Sequence, residues 1–126
     1  MIDIQKQIDY WSKGSEEDWN VGVHLINEGS IRHGLFFIHL SIEKILKAHV
    51  CRKTVDLAPR THNIIRLWEQ SGLLFKKEDS QFLAILNKYN IEGRYPDSYE
   101  ELPNLQQITD IVTTGERVYK WLRSQF

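Results

Sequence analysis

The chain is poor in several residue types, and each shortage closes off a class. It has 1 cysteine, Cys51, so no intrachain disulfide can form. Only 3 prolines and 7 glycines interrupt 126 residues, and the 41% hydrophobic and 26% charged shares are those of a folded globular chain, not of a low-complexity or disordered one. Neither sign of charge predominates: 16 Lys plus Arg face 17 Asp plus Glu, a formal −1 at pH 7. That balance argues against a bulk nucleic-acid coat or a membrane-surface binder. Long apolar runs are also missing. The densest stretch, Leu35 to Ile42, contains His39 and Ser41 and runs into Glu43 and Lys44, well short of the ~18 apolar residues a spanning helix requires. The start, MIDIQKQIDYW, carries neither a basic n-region nor an apolar h-region. A single cytoplasmic domain without a membrane role is the expectation, with roughly two-thirds of the unfolded chain's surface buried on folding.

Chemical motifs are scarce too. Neither GxxxxGK[ST] nor GxGxxG occurs, which excludes P-loop nucleotide hydrolysis. The five histidines, at 24, 33, 39, 49 and 62, are never four apart, and no Glu-x-x-His pair exists to build a di-iron bundle, so no metal or other cofactor is expected. Cys51 lies on an apolar helix and no serine sits in a glycine-rich elbow, which leaves nucleophilic catalysis without a local signal.

What the chain does contain is helical periodicity. Ile4, Ile8, Trp11, Ser15, Trp19, Gly22 and Ile26 recur every three or four residues, a single stripe that predicts one long helix ending near Gly29. Ser15 and Asp18 could begin a separate helix, but the stripe passes through them unbroken, making Ser15 and Gly22 close-approach points for a neighbour. From Ile31 to Arg52 the first half is apolar around nearly its whole circumference, as a central helix or one that also supplies a subunit contact requires. Thr61 reads as the N-cap of a short helix from Asn63 to Ser71, with Gly72 as its stop. A helix from Lys77 to Asn90 follows, then the irregular span IEGRYPDSYEELP, and Asn104 caps a final helix. The expected fold is all-α: an up-and-down antiparallel bundle of four long helices plus one short one.

The remaining candidates are basic and aromatic groups near predicted helix ends. Arg60 and His62 precede the short helix, and Arg94 and Tyr95 sit in the long loop. Guanidinium forks and free backbone N–H groups suit phosphate, although a solvated Arg60 and a capping His62 are the plainer reading. Glu43, Lys44 and Lys47 occupy the one polar strip of the second helix, either as a solvated face or as the lining of a groove between subunits.

Four segments in order carry a family resemblance: Tyr10-Trp11 with Ser15-Glu16-Glu17-Asp18; Phe36 to Ala48, FFIHLSIEKILKA; Arg60-Thr61-His62-Asn63; and Tyr89 to Asp97, YNIEGRYPD. Together they make the chain resemble a HEPN domain, a small helical module named for nucleotide binding in higher eukaryotes and prokaryotes. The resemblance implies a bundle of four or five helices, commonly a homodimer, often encoded beside a minimal nucleotidyltransferase and sharing its fold with the substrate-binding region of larger ones. It also implies, for many members, metal-independent ribonuclease activity in toxin–antitoxin and defence systems, from an Arg followed after four to six residues by His near the start of a late helix.

The sequence departs from that ribonuclease pattern. Beyond Arg94 stand Tyr99, Glu100 and Glu101, and no histidine follows His62. Arg32 and His39 match the spacing but lie on the second helix. The resulting expectation is a non-catalytic HEPN protein that binds a nucleotide or a nucleotidyltransferase partner as a homodimer. Arg94 and Tyr95 are its first contact residues, Arg60 and His62 a second anion point, Lys44 and Lys47 groove charges, and Tyr99 a stacking group. The alternatives are a ribonuclease toxin using Arg32 and His39 on RNA, or a purely structural interaction module.

Overall fold

In the computed structural model, residues 1–90 and 102–126 are described, and among them the chain forms five helices and no strand. They are α1 (Ile4–Asn27), α2 (Ile31–Thr54), α3 (Ile64–Ser71), α4 (Lys77–Asn87) and α5 (Leu105–Ser124). The all-α expectation holds, and α1 is one unbroken helix of 24 residues, N-capped by Asp3. Two boundaries shift. The short helix is capped by Asn63, whose Oδ1 accepts from Ile65 N and Arg66 N, while Thr61 Oγ1 accepts only from Asn63 N. The fourth helix ends at Asn87 instead of Asn90, its last turn closed by Lys88 N on Ile85 O and Tyr89 N on Leu86 O.

α1 and α2 are antiparallel, and they touch through small residues. A Cβ added to Gly22 would lie 2.9 Å from Ile38 Cδ1 and 3.0 Å from Gly34 O; one added to Gly34 would lie 2.5 Å from Ile26 Cγ1 and 2.9 Å from Gly22 O. Two turns along, Ser15 Oγ donates to Ser41 O and Ser41 Oγ donates to Ser15 O, both at 2.7 Å. Both serines are fully buried, so this reciprocal pair satisfies hydroxyls that a seam of larger residues would have to exclude.

α2 is the central helix, with fourteen buried positions from Gly34 to Cys51. α5 runs parallel to it: His49 Nε2 donates to Leu122 O at 2.7 Å and Arg52 reaches Gln125 O at 3.0 Å. α5 also meets α1, with the Trp19 and Tyr119 rings stacked 4.7 Å apart, and α4, where Arg117 pairs with Asp79 at 2.9 Å. Residues 55–63 carry the chain back along α2, so α3 starts level with Glu43 and ends at Gly72 beside Lys53.

The return begins with strain. Val55 closes α2 in the left-handed region at φ 53°, a conformation unfavourable for a β-branched residue, and its side chain is exposed. Val55→Asn should therefore raise stability by about 1 kcal/mol, or roughly 3–5 °C in Tm, because Asn adopts this conformation readily and no core contact is lost. Thermal denaturation by circular dichroism checks this; an unchanged or lower Tm would count against it.

Candidate functional site

The polar strip predicted on α2 is not a solvated face: Glu43 is 3% and Lys47 6% exposed. Their charges are paired one turn apart, Lys47 Nζ to Glu43 Oε2 at 3.1 Å, with the ammonium also 5.0 Å from the centre of the Trp11 ring on α1. Lys44 faces α1 instead, 2.7 Å from Asp18 Oδ2, its stem lying over Gly14. The other Glu43 oxygen, Oε1, accepts from His62 Nδ1 at 3.0 Å. That bond comes from the linker preceding α3, so His62 contributes through its ring and not as a cap; the ring is half-exposed.

One turn before Glu43, His39 is 1% exposed. Its Nε2 lies 3.2 Å from Asn87 Oδ1 at the end of α4. The Asn87 amide is oriented by two further bonds: Oδ1 accepts from Ile64 N at 3.3 Å, and Nδ2 donates to Asn63 Oδ1 at 3.2 Å. The ring also bonds to the His62 backbone, and its Nδ1 lies 3.9 Å from Glu43 Oε1, beyond hydrogen-bond reach. Burial holds the His39 pKa below that of a free imidazole, against the opposing pull of the Asn87 bond and the Glu43 charge.

Of the candidates from sequence, His62 and Lys47 thus converge on Glu43, with Arg60 exposed two residues upstream on the same linker and Lys44 on the neighbouring turn of α2. Arg32 lies nearly two turns N-terminal of His39, whose ring is sealed from solvent. Arg94, Tyr95 and Tyr99 lie outside the described residues. Two members of the site were not among the site residues expected from the sequence. Asn87 is 48 positions from His39 and gave no signal in the sequence, and Asn63 was read only as a helix start. The spacing of His39, Glu43 and Lys47, each four apart, does place them in one row on α2.

This arrangement is suited to binding. A buried Glu43–Lys47 pair orients a half-exposed imidazole, and the linker beside it carries the exposed guanidinium of Arg60. Among the described residues no group of three or more His, Cys, Asp or Glu side chains could hold a metal ion, and no helix is long and apolar enough to cross a membrane.

The HEPN domain family model matches residues 8–125. The crystal structure of an archaeal HEPN homologue has the same fold, with a TM-score of 0.68 at 19% sequence identity, over 94% of this chain and 96% of that one. No curated protein matches the sequence.

The neutral histidines make stability depend on pH. His49, buried against α5, is also held below the ordinary imidazole value, chiefly by burial, with the Leu122 carbonyl opposing and Arg52 assisting. A folded-state pKa below 6.5 means the unfolded chain binds more protons between the two values. Stability is therefore full above about pH 6.5 and falls as pH drops towards the folded-state values, by about 1.4 kcal/mol for each unit of depression. The Tm should be lower at pH 5.5 than at pH 7.5, and His49→Gln, which keeps an N–H donor without titrating, should narrow the gap. Equal melting at both pH values would refute it.

Proposed function

The chain belongs to the HEPN domain family, and from that we propose that it is a non-catalytic member. On this reading it binds a nucleotide, a minimal nucleotidyltransferase partner, or both, as a homodimer within a toxin–antitoxin or defence-like system. The observation that carries the reading is the state of His39. It is the one histidine at the ribonuclease spacing from an arginine, yet it is buried, its pKa is held down by that burial, and its ring is bonded to Asn87 and to the His62 backbone. A general acid or base has to reach the proton it transfers.

The proposed ligand face starts at His62 and Arg60 and continues to the end of α4, from which the chain enters residues 91–101. Arg94 is the proposed first phosphate or partner contact, with Tyr95 and Tyr99 as stacking groups and Arg60 with His62 as the second anion point. Lys44, a further candidate, is paired with Asp18 of α1 in this conformation. Lys47 is committed to Glu43 in this conformation.

Titration with AMP, ATP and a single-stranded RNA, with light scattering and RNA integrity followed on the same sample, tests the reading. The expected result is a dimer that binds nucleotide and leaves RNA intact, with affinity reduced about tenfold or more in Arg60→Ala and Arg94→Ala. RNA cut in the presence of EDTA and spared by His39→Ala would overturn it in favour of a ribonuclease; neither binding nor cutting would leave a structural module. Phe36 and Phe37 are half-buried on α2 with their rings 5.5 Å apart, and Phe37→Asp should convert the dimer to a folded monomer. A dimer that survives this change would put the interface elsewhere.

A further inference from the structure

The linker of residues 55–63 is more than a connection. It leaves α2 at the strained Val55 and runs back along that helix until His62 stands at Glu43, about 16 Å of helix rise from its start. Its own hydrogen bonds are mostly local. Leu57 N bonds to Asp56 Oδ1 and Asn63 N to Thr61 Oγ1, both within the linker. Among the described residues, no backbone-to-backbone hydrogen bond joins residues 56–61 to the body. The attachments are gathered at two residues: Ala58 packs on the small cluster of Ile8, Ala48 and Cys51 and bonds through its backbone to the Cys51 sulfur, while His62 bonds through Nδ1 to Glu43 Oε1 and through its backbone to the His39 ring.

The surface beneath is not an ordinary core. His39, Glu43, Lys47 and Cys51 follow one another every four residues in one row of α2, and all are buried although two of them carry charge. Keeping a charged pair out of water costs several kcal/mol per ion before pairing offsets it. The segment crossing this row has few buried contacts, no backbone ladder and a strained residue at its origin, the properties of the low end of local stability.

We propose that residues 55–63 form a strap, hinged at Val55 and latched by His62 on Glu43, whose opening uncovers the row of α2 from Glu43 to Cys51, leaving His39 against Asn87 and one side of Lys47 against Trp11. The strap rests on the nucleotide-binding reading only for its occupant: with the strap open, the His62 imidazole released from Glu43 becomes available, with Arg60, to a phosphate-bearing ligand. The latch is the bond between His62 and a carboxylate, stronger than one between neutral groups. Ala58 adds a methyl contact and a backbone hydrogen bond to the Cys51 sulfur.

Cys51 reports on the strap directly. It is the only cysteine, fully buried, and Ala58 lies against it. Its reaction with Ellman's reagent under native conditions measures opening, with no nucleotide present, so a failure of nucleotide binding leaves this test intact. His62→Ala should speed the reaction about tenfold or more, with a weaker guanidinium dependence than global unfolding because local opening exposes little surface. His62→Gln, which retains an N–H donor, should return the rate towards that of the unaltered protein. Arg117→Ala, which breaks the exposed pair with Asp79 across α4 and α5, should leave it unchanged. A His62→Ala rate equal to that of the unaltered protein, or labelling that follows global unfolding in both, would overturn the strap.

Discussion

The structure depends first on how closely α1 approaches α2. Glycine faces glycine and serine faces serine along the seam, so the two backbones lie nearer than any larger pair would permit. This proximity gives α2 its environment. It brings Trp11 over Lys47 and Asp18 onto Lys44, converting what would be a wet polar strip into a covered one. Close packing of this kind offers little room for adjustment, because the atoms that would be struck at Gly22 and Gly34 include backbone carbonyl oxygens as well as side chains.

A central helix carrying His39, Glu43 and Lys47 in its interior is a poor solution for stability alone, since a well-packed apolar row of similar volume is often as good or better. Here each of the three is held by a different element. Lys47 lies under α1, Glu43 takes the linker through His62, and His39 takes the end of α4 through Asn87. The row therefore ties together segments distant in sequence, and a change at one member is felt at the others through shared atoms: Glu43 Oε1 faces two imidazoles, and Asn87 Oδ1 accepts from two donors.

Much of this was legible in the sequence. The stripe from Ile4 to Ile26 marked α1 as one helix, and Ser15 and Gly22 within it marked the close approach, because small residues at core positions leave space only a neighbouring backbone can fill. The all-round apolar character of Leu35 to Ile42 marked a helix buried on more than one side, either central or also supplying a subunit contact, and in the chain it is central. Local rules reached less far where tertiary contacts decide. Thr61 and Asn63 are both good caps, and the Asn87 amide that bonds to Asn63 and Ile64 favours the second. Glu43 and Lys47 were recognisable as an i,i+4 pair, but nothing local reveals that a linker turns back over them. The path of residues 55–63 is set by where α3 packs, which no spacing within the linker encodes.

The seam itself can be tested with one substitution. Alanine is the better helix former by about 1 kcal/mol, so on propensity alone Gly34→Ala should stabilise α2. Close approach predicts the reverse: the added methyl would sit 2.5 Å from Ile26 Cγ1 and 2.9 Å from Gly22 O, and the forced separation should cost about 1–3 kcal/mol. The decisive measurement is the unfolding free energy of Gly34→Ala beside that of the unaltered protein in guanidinium. A clear loss is the predicted result; equal or greater stability would contradict the packing on which the fold and its buried polar row rest.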